Sequence, residues 1–200
     1  MSHYFTNDDS PMVTREIAAT IFGREFTFTT AGGVFSGSRL DLGTSVLLRT
    51  VAPPTSGHVL DLGCGFGPIA VALAAASPEV TVDAVDVNER ALTLTRMNAQ
   101  RAGVADRVRT SPLRDATYDE LWSNPPIRIG KQALHELLLT WLPRLRPGGV
   151  AYLVVSKNLG ADSLAAWLTG QGWPVERLAS AKGFRVLRAS RTPPGNSATA

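Results

Sequence analysis

From His58 onward the chain repeats one pattern: a short apolar run bounded by turn residues, then a segment of helical length and spacing. The runs read as strands at 58–63, 80–86, 107–111, 118–123 and 149–155, with helices near 67–76, 89–102, 131–144 and 162–170. Continuous apolar strands separated by helices imply a mostly parallel sheet covered on both faces, a doubly wound α/β domain. The end breaks this rhythm, because Val175–Ala179 and Phe184–Ala189 are strand-like and meet at a short turn around Lys182-Gly183. An antiparallel hairpin therefore closes the sheet. Ahead of the α/β pattern, Glu16–Phe22 and Glu25–Thr29 read as a β-hairpin joined at Gly23-Arg24. A glycine-rich loop (31–39) follows, then a short helix beginning near Thr44 and ended by Pro53-Pro54. The expected organisation is an N-terminal β-hairpin extension with a cover loop over 1–45, the α/β domain over 46–190, and a disordered tail over 191–200 that lacks core formers.

Composition bears mainly on what is excluded. Of 200 residues, 44% are hydrophobic and 18% charged, which suits one globular domain with a sizeable core. The excess of 20 Lys and Arg over 17 Asp and Glu permits an anionic partner without requiring one. No apolar run approaches a membrane span and no signal pattern opens the chain, so the expected location is cytoplasmic with no membrane partner. A single cysteine and three scattered histidines offer neither a disulfide framework nor metal-ligand spacing, and no metal is expected.

Asp61-Leu-Gly-Cys-Gly-Phe-Gly-Pro follows the first strand of the α/β domain and opens a helix. Gly63, Gly65 and Gly67 thus sit at a strand's carboxyl end, where ligands bind in open α/β sheets. Glycine there permits a tight turn and close approach of a ligand to the backbone. The helix N-terminus beyond offers N–H groups suited to a carboxylate. The G-x-G-x-G spacing departs from the G-x-G-x-x-G of dinucleotide folds and favours S-adenosylmethionine over NAD. The next strand ends at Asp86, placed to accept both ribose hydroxyl protons. Asp61 either contacts the cofactor or orients the loop.

Asn124-Pro125-Pro126 ends the fourth strand of the domain on the same side. The prolines remove backbone donors and stiffen the loop, which leaves carbonyls facing whatever binds. A carboxamide beside a fixed carbonyl gives two acceptors, a pair that suits a planar amino group and can aim its nitrogen lone pair at an electrophilic methyl. Positioning then carries most of the catalysis, with no strong base needed.

With these residues in view, the chain resembles the class I S-adenosylmethionine-dependent methyltransferases, in particular the "methyltransferase small" family that includes the 16S ribosomal RNA guanine-N2 methyltransferases. The resemblance runs over almost the whole chain: His3-Tyr4-Phe5, Gly33-Val-Phe-Ser, Leu40-Asp-Leu-Gly-Thr, the glycine motif, Asp86-Val-Asn, Asn124-Pro-Pro-Ile-Arg-Ile-Gly-Lys and Gly183-Phe-Arg-Val-Leu. It implies a Rossmann-like seven-stranded sheet with S-adenosyl-L-methionine as cofactor. It also implies cofactor binding by Gly63, Gly65, Gly67 and Asp86, and an amino acceptor received at Asn124, Pro125 and Pro126. Two departures stand out. Ile127 occupies the position where many amino methyltransferases carry a base-stacking aromatic, and Pro112 stands where relatives often carry an acid for the adenine amino group, with Asp115 a possible substitute.

Ile127, Arg128, Lys131 and Phe35 are the substrate-binding candidates: Arg128 and Lys131 for phosphates at the mouth of the site, together with Arg39 and Lys157, and Phe35 for stacking. Phe66 is a second stacking candidate, though a ring in such a place is more often part of the core; Trp122 is expected in the core, and Cys64 is read as a packing residue. The expected activity is methylation of an exocyclic amino group, with guanine N2 of ribosomal RNA leading and RNA or a small-subunit particle as partner. A protein glutamine or the N6 of adenine is the alternative acceptor, and a non-catalytic RNA-binding module is the alternative of another class. The sequence leaves the oligomeric state open.

Overall fold

A computed structural model of the chain describes residues 12–34 and 39–192. Phe35, the opening His3-Tyr4-Phe5 and most of the expected tail lie outside the described residues. The elements run β1 (Thr14–Ile21), β2 (Arg24–Ala31), α1 (Leu42–Thr50), β3 (Ser56–Leu62), α2 (Pro68–Ala76), β4 (Glu79–Val85), α3 (Glu89–Arg101), β5 (Val108–Arg109), β6 (Tyr118–Ser123), α4 (Lys131–Trp141), β7 (Leu145–Ser156), α5 (Ala161–Gly170), β8 (Val175–Ala181) and β9 (Phe184–Ser190), with short 3₁₀ turns between some of them. Strands β3 to β9 form a seven-stranded sheet in the order β5-β4-β3-β6-β7-β9-β8. Strands β3 to β7 pair in parallel, and β9 runs antiparallel to both β7 and β8, as the closing hairpin required. The strand order reverses between β3 and β6, so their carboxyl ends flank the crevice where such sheets bind ligands.

The sheet separates two cores because neighbouring side chains on a strand point to opposite faces. Val59, Val82, Trp122 and Val154 face one side and pack with α1, α2, α3 and the N-terminal hairpin. Leu60, Leu62, Leu121 and Leu153 face the other and pack with α4 and α5. The hairpin is fastened by a buried carboxamide. Asn98 of α3 accepts the Thr29 N–H (2.7 Å) and donates to the carbonyls of Thr29 and Phe66 (both 2.8 Å), which ties β2 and the glycine loop to one side chain.

Several boundaries differ from expectation for identifiable reasons. The first hairpin turns at Phe22-Gly23, both at positive φ, and Arg24 already pairs with Ile21. A two-residue turn of the tight hairpin type needs two left-handed residues, so glycine takes the second place and the preceding residue the first. Lys182-Gly183 repeats the arrangement at the β8–β9 turn. α1 starts earlier than Thr44 because Asp41 caps it, accepting the Thr44 N–H at 2.9 Å. β5 shrinks to two residues ahead of Ser111-Pro112. Arg191, grouped with the tail by its sequence, donates its backbone N–H to Gly149 (2.8 Å) and its guanidinium to the Pro143 carbonyl (2.8 Å).

Candidate functional site

The glycine turn leaves the end of β3 with its backbone held from behind: Gly63 and Cys64 both donate to the Val85 carbonyl at the end of β4 (2.8 and 3.0 Å). Gly67 ends the turn in the left-handed region at φ 84° and caps α2. A Cβ there would lie 2.8 Å from the Thr95 side chain and 3.1 Å from its Cα, so glycine is required by both conformation and space. A Cβ on Gly65 would meet nothing within 4 Å, because that residue borders open cleft.

Two carboxylates govern the electrostatics. Asp86, one residue past β4, accepts Gly65 N–H through Oδ2 (3.0 Å) and Asn88 N–H through Oδ1 (2.9 Å), and it lines the cleft. Burial pushes its carboxyl above the usual range, against the hydrogen bonds that favour the ionised form. Each oxygen keeps acceptor capacity for a ribose hydroxyl. Asp61 is wholly buried behind the loop. Its Oδ2 accepts the Ala70 N–H of α2 (3.0 Å), whereas Oδ1 has no partner. Burial pushes Asp61 up to about 7, opposed by the Ala70 N–H and reinforced by the charge of Asp86. Of its two expected roles, the geometry displays the one that orients the loop.

The helix-terminus expectation needs correction. Pro68 opens α2 without an N–H and Ala70 spends its own on Asp61, so the first turn has few donors left for a ligand carboxylate. Phe66 takes the core alternative: it is buried, with its ring 5.6 Å from Phe28, and does not stand ready to stack on a ligand. Cys64 packs as expected. Burial pushes its thiol up, so it is no nucleophile.

Across the crevice, β6 ends in Asn124-Pro125-Pro126. The Asn124 carboxamide donates to Asp41 Oδ2 (2.7 Å) and to Thr44 Oγ1 (3.1 Å). Pro125 and Pro126 direct their carbonyls to the N–H groups of Ile127 and Ile129 (2.8 and 3.0 Å), which uses one lone pair of each oxygen and folds the loop back on itself. The fold thus brings Gly63, Gly65, Asp86, Asn124, Pro125, Pro126 and Ile127 to a single cleft of about 620 Å³, within the range of small-molecule sites. Asp61 and Gly67 support it from behind, and Lys131 opens α4 beyond it. Asp115 is exposed and does not line the cleft.

Sequence reasoning did not anticipate several wall residues. Leu137, Trp141, Leu159 and Phe184 give the acceptor end an apolar lining, and Val87 does the same beside Asp86. Leu137, Trp141 and Leu159 arrive from α4 and the turn after β7, with no local spacing to join them to the motifs. Val87 and Phe184 lie inside the Asp86-Val-Asn and Gly183-Phe-Arg-Val-Leu segments, with nothing in their spacing to mark them as wall residues. Asp41 and Thr44 had a weak signal in the Asp-x-x-Thr spacing of a helix cap. Among the described residues no cluster suited to a metal ion is found, and no helix is long and apolar enough to cross a membrane.

The family model of the methyltransferase small domain matches residues 25–188. The chain belongs to that family. In this methyltransferase small domain the Asp86 carboxylate and the glycine-walled cleft suit a cationic ligand with a ribose. It is similar to the uncharacterized protein YbxB of Bacillus subtilis (strain 168), 30% identical over 94% of this chain and 98% of that protein. It is also similar to ribosomal RNA small subunit methyltransferase C of Pseudomonas entomophila (strain L48), 36% identical over 80% of this chain and 49% of the relative. A T. thermophilus 16S rRNA N2 methyltransferase (RsmC), determined in complex with AdoMet and guanosine, shares the fold with a TM-score of 0.77 at 24% identity, over 90% of this chain and 51% of that one. The chain therefore spans nearly all of YbxB but about half the length of the ribosomal RNA methyltransferases it matches.

Proposed function

We propose that the chain transfers a methyl group to an exocyclic amino group of RNA, with guanine N2 of ribosomal RNA as the leading acceptor. The observation that carries this reading is the meeting of two half-sites in one cleft, the Gly63–Gly67 turn with Asp86 on one side and Asn124–Pro126 on the other. S-adenosylmethionine, when bound, supplies an electrophilic methyl on a sulfonium centre. Asp86 would hold its ribose, the glycine backbone would pass beneath it, and Val87 would cover an apolar face. Asp86, held by the Gly65 and Asn88 N–H groups, presents a carboxylate to the cleft, which favours a cationic ligand.

On the acceptor side, the Asn124 carbonyl and the remaining lone pair of the Pro125 carbonyl receive the two N–H bonds of a planar amine and orient its nitrogen. Ile127, Leu137, Trp141 and Phe184 exclude water and offer apolar and aromatic surface to a base, in place of an aromatic residue at position 127. Arg128 and Lys131, with phosphates as the targets of the two cations, and Phe35 as a stacking ring remain substrate-binding candidates, the Arg128 side chain and Phe35 lying outside the described residues. A ribosomal RNA acceptor fits the cytoplasmic location expected from the sequence. Ribosomal RNA is favoured over protein or DNA by the relatives named ribosomal RNA small subunit methyltransferase C.

A tritiated-methyl assay on unmodified ribosomal RNA, assembled small-subunit particles, ribosomal protein and DNA tests the proposal. Label in RNA or particles is expected, released on digestion as N2-methylguanosine. Label only in protein or only in adenine would replace the acceptor. RNA binding without any transfer or cofactor heat would make the chain a binding module.

A further inference from the structure

The first turn of α1 touches the acceptor site without belonging to the glycine motif or to the Asn-Pro-Pro loop. A carboxamide has two N–H donors and one carbonyl acceptor, and rotation by half a turn exchanges their places. Asn124 therefore serves an incoming amine only if its oxygen, rather than its NH₂, faces the cleft. Both donors are committed elsewhere, one to Asp41 Oδ2 at 2.7 Å and one to Thr44 Oγ1 at 3.1 Å. The same Asp41 oxygen accepts the Thr44 backbone N–H at 2.9 Å, so the carboxylate is itself fixed by its duty as helix cap.

We propose that Asp41 and Thr44 are positioning residues for methyl transfer, holding the Asn124 carboxamide so that only its carbonyl is presented to the acceptor amine. The inference rests on the methyl-transfer reading above and extends it to residues of α1 that stand between the glycine turn and Asn124. An ionised carboxylate accepts and never donates, so Asp41 admits the Asn124 NH₂ and rejects its oxygen. Thr44 is buried, and its hydroxyl oxygen completes the pairing. Gly43 lets this turn sit close to the site. A Cβ there would approach the Phe184 ring to 2.8 Å, so glycine allows α1 to press against a wall of the cleft. The Asp41-Leu-Gly-Thr segment is thus a scaffold for the acceptor clasp.

The test separates capping from positioning. D41S keeps a side-chain oxygen that can cap α1 but is too short to reach Asn124, T44V removes only the hydroxyl, and D41N restores an acceptor at the shared position. With tritiated S-adenosylmethionine and unmodified ribosomal RNA, D41S and T44V are each expected to lower kcat roughly tenfold to a hundredfold, with donor Kd within about threefold of wild type. D41N should recover most of that loss. In an N124A background, D41S should cost no more than about twofold further, because its effect passes through Asn124. A readout that needs no substrate is the ¹⁵N spectrum of the Asn124 side-chain amide, assigned by its absence in N124A. Slow exchange with water is expected in the wild type and fast exchange in D41S. Unchanged kcat in both variants, full additivity with N124A, or a fast-exchanging amide in the wild type overturns the inference. So does a loss of donor affinity in D41S that exceeds the loss of kcat, since Asp41 would then act on the donor itself. If the wild type transfers no methyl to RNA, the functional reading fails while the amide exchange still decides the positioning claim.

Discussion

Replacing Asp61 by Asn should stabilise the protein more as pH rises. The Asp61 carboxyl is buried, one oxygen lacks a partner, and its pKa stands at about 7 against an ordinary 3.8. A carboxyl whose pKa is raised by folding holds its proton more tightly in the native state. Stability from this group is therefore greatest below the unfolded pKa and falls as pH climbs towards the folded one. At about 1.4 kcal/mol per pH unit, with the slope falling off as the native carboxyl begins to ionise near pH 7, the loss between pH 5 and pH 7 is about 2 kcal/mol, and over the whole interval about 4 kcal/mol. D61N cannot ionise and escapes that loss. Its fixed costs, an amide NH₂ opposite no partner and a weaker bond to the Ala70 N–H, are independent of pH and cancel in the difference between two pH values. Urea unfolding of both proteins at pH 5 and pH 7, without cofactor, should show the stability difference moving in favour of D61N by about 2 kcal/mol. A difference that stays constant, or moves the other way, refutes the assignment of an ionisation cost to this carboxylate. Above about pH 7, where Asp61 is ionised, the same variant should bind S-adenosylmethionine more weakly, and below it the two proteins should bind alike.

N124A is expected to lower kcat at least about a hundredfold with donor Kd within about threefold, read by single-turnover methyl transfer and calorimetry. D86A should do the opposite. Losing a carboxylate that can take two ribose hydroxyls costs roughly tenfold to a thousandfold in donor affinity by calorimetry, and unchanged affinity would remove Asp86 from the site. G67A should destabilise the fold by about 1–3 kcal/mol in urea titrations, since it combines a left-handed conformation with a clash on Thr95, and a neutral result would show that the turn relaxes. RNA affinity should fall steeply with salt, and a flat dependence would point to a small or protein acceptor.

The parts of the fold written in local pattern were legible in the sequence. The strands flanking the crevice, the covering helices and both hairpins follow from apolar runs and turn residues, and the glycine turn, Asp86 and Asn124–Pro126 were found because each sits at a strand's end. What stayed hidden depends on distance along the chain. Asp41 and Asn124 stand 83 positions apart, and Thr29 and Asn98 stand 69 apart, so only the folded sheet reveals that they meet. Phe184 joins the cleft because β9 runs antiparallel to β7 and brings its first residue back opposite Ser156. Sequence left two places open for Phe66, and the contact that decides for the core comes from afar: the N-terminal hairpin lays Phe28 against its ring.

The most direct test is a crystal structure of the protein with S-adenosylmethionine bound. Its ribose should lie on Asp86, its backbone-contacting face along Gly63 and Gly65, and its sulfonium methyl should look across the crevice at the Asn124 carbonyl. A donor seated elsewhere, or an Asn124 that turns its NH₂ towards the methyl, would contradict the joining of the two half-sites.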